Sequence, residues 1–152
     1  MATLPEIRDM QALTAKYHLR LRELLAQVPE GALHERVGGV GLSVVETVQH
    51  VCETERWYMN LIDGGERHTP EPSPHVDGLL HALAEAEAAM AAFLESMDEA
   101  TLVSTHDVPG WWGEGEPRSA RLILMHSLAH KYYHCGQLQA VLCALADLKP
   151  ST

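Results

Sequence analysis

Three histidines near the C-terminus, in RLILMHSLAHKYYHCGQLQAV, have the type and spacing to do chemistry together. His126, His130 and His134 are each four apart, so on a helix they rise along one side. At about 100° per residue, His130 and His134 fall in the stripe of Ile123, Gln137 and Val141 and point where apolar residues point. A buried imidazole needs partners for both ring nitrogens, and two of them one turn apart are placed to share a metal ion. All three cannot bind one ion. His126 and His134 are separated by about 12 Å of helix rise, too far for bonds of about 2 Å. The choice is 126/130 or 130/134, and His130 belongs to both. His126 reads as a histidine with ordinary hydrogen bonds, at most a partner to a ligand.

A third ligand has to come from another helix. His50, in SVVETVQHVCETERWYM, is the candidate, as the one histidine in the body of the second helix. The main apolar stripe there is Val44, Val48, Val51, Cys52, Met59 and Ile62. His50 lies on a second stripe with Trp57 and Leu61, facing either the interior or a partner subunit, and periodicity leaves both open. Glu46 and Glu53, four and three residues from His50, are candidates to orient or assist it, against the alternative of solvated helix charges. Gly136 sits inside the fourth helix, where it costs roughly 1 kcal/mol relative to Ala, which suggests close approach by a neighbouring helix or ligand. Cys135 is about 100° round the helix from His134 and should not join the same ion, and Cys52 and Cys143 read as core.

The elements that must position these residues are four helices. The first runs from about Pro5 to Val28, with Ile7, Met10, Thr14, Tyr17, Leu21, Leu24 and Val28 at alternating steps of three and four. Ser43 opens the second, with Glu46 completing a capping box, and Gly64 and Gly65 stop it near Asp63. Ser73 and Pro74 begin the third, which carries Leu79, Leu83, Ala86, Met90, Phe93 and Met97 on one side. The fourth starts near Ser119 and continues to about Leu148. With no convincing strand, this is an all-α four-helix bundle in one domain spanning 1–152. The loop from Glu99 to Arg118 is longer than a hairpin needs and holds Trp111 and Trp112, which plug one end of the bundle or a subunit contact, or serve function.

Composition narrows the function classes. A net charge of −10 with no basic cluster repels a phosphate backbone and argues against nucleic acid as partner. Three cysteines in no paired spacing suit a reducing compartment. The N-terminus does not read as a signal peptide, and no apolar stretch is long enough to cross a bilayer, so a cytoplasmic protein without membrane association is expected. Helices two and four are apolar around more of their circumference than one core covers, which predicts a homodimer.

The pattern of Ser43, Glu46 and His50, followed by His130-x-x-x-His134-Cys135-Gly136-Gln137, resembles the DinB/YfiT-like superfamily over almost the whole chain. The resemblance implies up-down-down-up connectivity, a metal near one end of the bundle, and the metal triad on His50, His130 and His134. It also implies a small-molecule substrate, since relatives include bacillithiol S-transferases, a mycothiol-dependent isomerase and proteins described as metal-dependent hydrolases. One position departs. Family members commonly carry an acidic residue straight after the first ligand of the last helix, and here it is Lys131, which puts a catalytic or supporting role there in doubt.

Three neutral imidazoles would leave coordination positions open, as in a reactive site. A bound thiol or water would then ionise more readily. The expected function is therefore a metal-dependent enzyme, a thiol S-transferase using a low-molecular-weight thiol or a small hydrolase. The alternative is a non-catalytic metal-binding stress-response protein. Imidazoles suit one divalent ion of Zn, Ni, Fe or Cu alike. The zincin motif needs Glu where Lys131 stands, and the Glu-x-x-His pairs of di-iron bundles are missing from the sequence.

Overall fold

The computed structural model describes residues 4–36, 41–68, 71, 73–109 and 116–147. Four long helices dominate: α1 (Pro5–Leu25), α2 (Val44–Asp63), α3 (Val76–Glu95) and, after the short α4 (Glu99–Val103), α5 (Ala120–Asp147). Each start has a local cause. Pro5 occupies the first turn of α1, where its missing N–H costs nothing. Ser43 Oγ accepts from the Glu46 N–H while the Glu46 carboxylate accepts from the Ser43 N–H at 2.7 Å, so the expected capping box is formed. The Val76 N–H at the head of α3 reaches the Glu30 carboxylate at 3.3 Å. Glu30 belongs to a 3₁₀ turn, Glu30–Ala32. The α2 helix ends at Gly64, whose φ of 70° is left-handed, a conformation that suits a residue without Cβ.

The described residues on either side of the long loop's middle carry more regular structure than the sequence suggests. Asp98 caps α4 by accepting from the Thr101 N–H at 2.7 Å. Two short strands, β1 (Thr105–His106) and β2 (Arg118–Ser119), then pair antiparallel with Thr105 opposite Ser119. Two-residue strands carry too little alternation to be seen by periodicity. Trp111 and Trp112 lie outside the described residues.

The helices α1 and α2 each pack on both α3 and α5. Arg121 at the start of α5 meets Glu6, and Gln139 further along meets Arg20, so α1 and α5 run parallel. His50 and Tyr58 of α2 meet His134 and His126 respectively, so α2 runs antiparallel to α5. In the core Leu24 and Leu25 cluster with Leu79 and Leu83 while Met10 clusters with Met90 and Leu94, so α3 descends with α2. This is the up-down-down-up bundle.

Two apolar clusters fill its interior, one around Leu24, Val48 and Leu83, the other around Ile7, Met59 and Met90. Between them lie buried polar side chains: Thr14, His18, Glu55, Ser127, Lys131 and His134. The functional candidates sit at this polar level.

Candidate metal centre

Helix α2 presents His50 towards α5, and α5 presents His130 and His134 one turn apart. The three rings converge. The Nε2 atoms of His50 and His134 each lie 3.0 Å from Nε2 of His130, and the donor atoms of all three fall within 4.8 Å of one another. Hydrogen bonding cannot account for this arrangement. An imidazole nitrogen carries either one N–H or one lone pair, so His130 Nε2 satisfies one neighbour and not both. One cation can satisfy all three. Nitrogens about 2.0–2.1 Å from a common ion at tetrahedral or right angles stand roughly 2.8–3.4 Å apart, a range that contains the observed spacing. The group could therefore hold a metal ion, with His134 buried and the other two half-buried. Of the two α5 pairs left open by spacing, the structure brings 130/134 to His50.

The protonation states suit a cation. Burial, reinforced by the neighbouring His134, His50 and His126, pushes the His130 pKa down to about 3. Burial also lowers His134, against the opposing effect of its bond to Gln137. The His134 Nδ1–H donates to Gln137 Oε1 at 2.6 Å, which leaves the Nε2 lone pair facing the centre. Gln137 Nε2–H in turn donates to Tyr133 OH at 2.9 Å.

His126 stays outside the triad. Its ring is 6.4 Å from that of His130 and meets Tyr58 edge-on at 5.7 Å. Glu46 and Glu53 do not serve His50: Glu46 closes the capping box and pairs with Arg36, and Glu53 accepts from Gln49 at 2.7 Å. The acid that matters is Glu55, almost fully buried, which pairs with Lys131 Nζ and lies 2.8 Å from His18 Nε2. Burial drives its pKa up, but Lys131 and His18 outweigh burial and hold the carboxyl below its usual range. Lys131, the position where the sequence departs from the resemblance, is thus a buried cation tying α5 to α2. Its partner acid comes from α2.

Cys135 points at the Tyr17 carbonyl, 3.7 Å away, clear of the triad. Cys52 is buried with its thiol pushed up to about 12, chiefly by desolvation, so it stays protonated. Cys143 is exposed rather than core, because it lies in the last turns of α5, where the bundle gives less cover. At Gly136 an added Cβ would meet nothing within 4 Å, so no described neighbour explains the glycine.

Among the described residues no other group of His, Cys, Asp or Glu gathers in this way, and no helix is long and apolar enough to cross a membrane. The DinB family model matches residues 13–149 of the chain. Solved structures share its fold. A DinB-like protein from Bacillus subtilis is 17% identical, with a TM-score of 0.73 over 91% of this chain and 92% of that one. A conserved protein from Enterococcus faecalis is 15% identical, with a TM-score of 0.75 over 92% and 96%. A DinB-like protein from Bacillus cereus is 16% identical, with a TM-score of 0.66 over 90% and 89%. No curated protein sequence matches the chain.

Proposed function

The chain belongs to the DinB family, and from that premise we propose that it binds one divalent metal ion through His50, His130 and His134 and uses it in an enzymatic reaction on a small molecule. The observation that carries this reading is the convergence of three Nε2 atoms at 3.0 Å steps with His130 held neutral. Three protein donors leave at least one coordination position for solvent or substrate. An ion there would supply a Lewis acid that favours the ionised form of a thiol or of water.

The residues of the chain divide the remaining work. His130 belongs to both of the short nitrogen–nitrogen contacts that build the site. Gln137 sets the tautomer of His134. Lys131 and Glu55 fix the separation of α5 and α2, and so of His50 from the other two ligands. Burial of His130 and His134 keeps both free of a competing proton.

For the substrate, the DinB/YfiT resemblance favours a low-molecular-weight thiol and transfer to an electrophile, with hydrolysis the second chemistry to test. The experiment is elemental analysis of purified protein after equilibration with Zn, Ni and Fe, followed by a screen of thiol conjugation and ester or amide hydrolysis with the loaded protein. One equivalent of metal and turnover lost in the His130→Ala variant are expected. Failure to bind stoichiometric metal overturns the reading. Metal without turnover on any substrate would turn it into that of a non-catalytic metal-binding protein.

A further inference from the structure

Lys131 and Glu55 compensate one another in the core, whereas a second buried cation, Arg56 of α2, has no such partner. Arg56 is only 8% exposed, and its Nη1 is enclosed without a hydrogen-bond partner. It makes no hydrogen bond or ion pair among the described residues. Three acids share its neighbourhood, since Glu53, Glu55 and Glu85 act together with Arg56 on the Cys52 thiol. All three are engaged elsewhere. Glu55 holds Lys131 and His18, Glu53 accepts from Gln49, and Glu85 faces His81 at 3.6 Å. An enclosed guanidinium without a counter-charge is costly, because it has left water and gained nothing in its place.

Arg56 lies on the flank of α2 that meets α3. One turn before it, the Cys52 thiol points at the Ala82 carbonyl at 3.7 Å. Beyond it, the Arg67 guanidinium lies over the Phe93 ring at 5.3 Å. Between those two contacts α3 carries Ala86 and Ala89, which bring no acceptor to the seam. Asn60 follows Arg56 by four residues, so it stands on the same side of α2 and leans back over it. Its Oδ1 accepts from the Arg67 N–H at 3.2 Å and from Arg67 Nη1 at 3.0 Å. The amide is thereby held with its oxygen taken, and its Nδ2–H donors have no acceptor among the described residues. Two donor groups thus share one seam, and neither is satisfied. His50 is about 120° round α2 and roughly 9 Å along its axis, so this seam is separate from the metal centre.

We propose that the α2–α3 seam at Arg56 and Asn60 binds a small-molecule carboxylate. The planar fork of a guanidinium matches the two oxygens of a carboxylate, and the Asn60 amide supplies a further donor. One negative charge balances one arginine. A dianion such as phosphate would bring excess charge next to Glu53 and Glu85, in a chain of net charge −10. The methyl groups of Ala86 and Ala89 suit a short alkyl body behind the carboxylate, so propionate is the probe.

Thermal melts of the full-length protein in sodium propionate, against sodium chloride of equal ionic strength, test this. The wild type should gain about 3–6 °C once propionate reaches about ten times its dissociation constant, with or without bound metal. Saturation-transfer NMR should show propionate in contact with the wild type. Arg56→Met should abolish both responses. In chloride it should be at least as stable as the wild type, because no acid of the chain is left without its partner. Asn60→Asp supplies a carboxylate one turn from Arg56, so it should raise the melting temperature in chloride and remove the response to propionate. Sodium phosphate and sodium sulfate should stabilise the wild type less than propionate does. A wild type indifferent to propionate, a response that requires metal, or a larger gain with phosphate or sulfate would each overturn the proposal. So would an Arg56→Met variant that loses stability in chloride, or an Asn60→Asp variant that still responds to propionate.

Discussion

At the scale of single residues, His130 is the pivot of the proposed site, because its Nε2 is 3.0 Å from Nε2 of both His50 and His134. His130→Ala should abolish stoichiometric metal binding, whereas His126→Ala, which removes a ring 6.4 Å from that of His130, should leave most of it. Calorimetric titration of both variants distinguishes them, and loss of metal in the His126 variant alone would refute the choice of pair. Gln137 acts through His134. With the Nδ1–H unsupported, the ring is free to turn or to change tautomer, so Gln137→Ala should weaken metal binding by roughly 10–100-fold without unfolding the protein. An affinity equal to wild type would show that packing alone orients His134. The pairing of His130 with His134 was legible in the sequence because an i, i+4 pair on an apolar stripe is a local signal. His50 was legible only as a candidate: its stripe on α2 fitted an interior or an interfacial position, and the neighbouring helix decides between them.

At the scale of elements, the buried charges between the two apolar clusters decide how α1, α2 and α5 register. Glu55 falls on the same stripe as Val48, Val51, Cys52, Met59 and Ile62, and Lys131 on that of Leu124, Cys135 and Leu138. His18 follows Thr14 and precedes Leu21 on the buried side of α1. Each charge thus sat in plain view on a core-facing stripe. Their meaning was not legible, because a charge on one helix is compensated only by a charge on another, and periodicity says nothing of which helices meet. Glu46 and Glu53 lie close to His50 in sequence, yet both turn to partners near the surface. Burying Lys131 and Glu55 is tolerable only while they are paired. Lys131→Met should therefore cost about 3–5 kcal/mol in denaturant unfolding by leaving Glu55 uncompensated. Lys131→Met combined with Glu55→Leu should recover much of that loss. A single variant as stable as wild type would mean that the pair does not hold α5 to α2. The helix boundaries were legible where caps are chemical, as at Ser43 and Gly64. The α4 turn and the β1–β2 pair were not, being too short for a periodic pattern.

At the scale of the whole molecule, the ligands, the buried charges and the net charge all respond to pH, and the metal contribution can be isolated by difference. In the unfolded chain the imidazoles titrate near pH 6.5. In the fold His130 accepts its proton only at about 3, and His134 is lowered too. Between pH 6.5 and about 3 the unfolded state therefore binds more protons than the native state, and the stability of the metal-free protein falls as pH falls. Glu55 acts in the same direction at the acid end. Its folded carboxyl titrates below its ordinary range, so its contribution is present at neutral pH and disappears as pH falls through that lowered value. Bound metal adds stability by mass action on the native state alone, and protons compete with it for the ring nitrogens. Because His130 has almost no proton to displace above pH 6.5, the difference in melting temperature between metal-loaded and metal-free protein should persist from pH 8 to about 6.5. It should continue below that and narrow only as pH falls towards about 3, where His130 takes up its proton. Paired thermal melts from pH 8 to pH 3 at fixed free metal provide the measurement. A difference constant down to pH 3 would mean that imidazoles are not the ligands. One that vanished already at about pH 6 would mean that burial does not keep the rings neutral and that the site is more open to water than the structure shows.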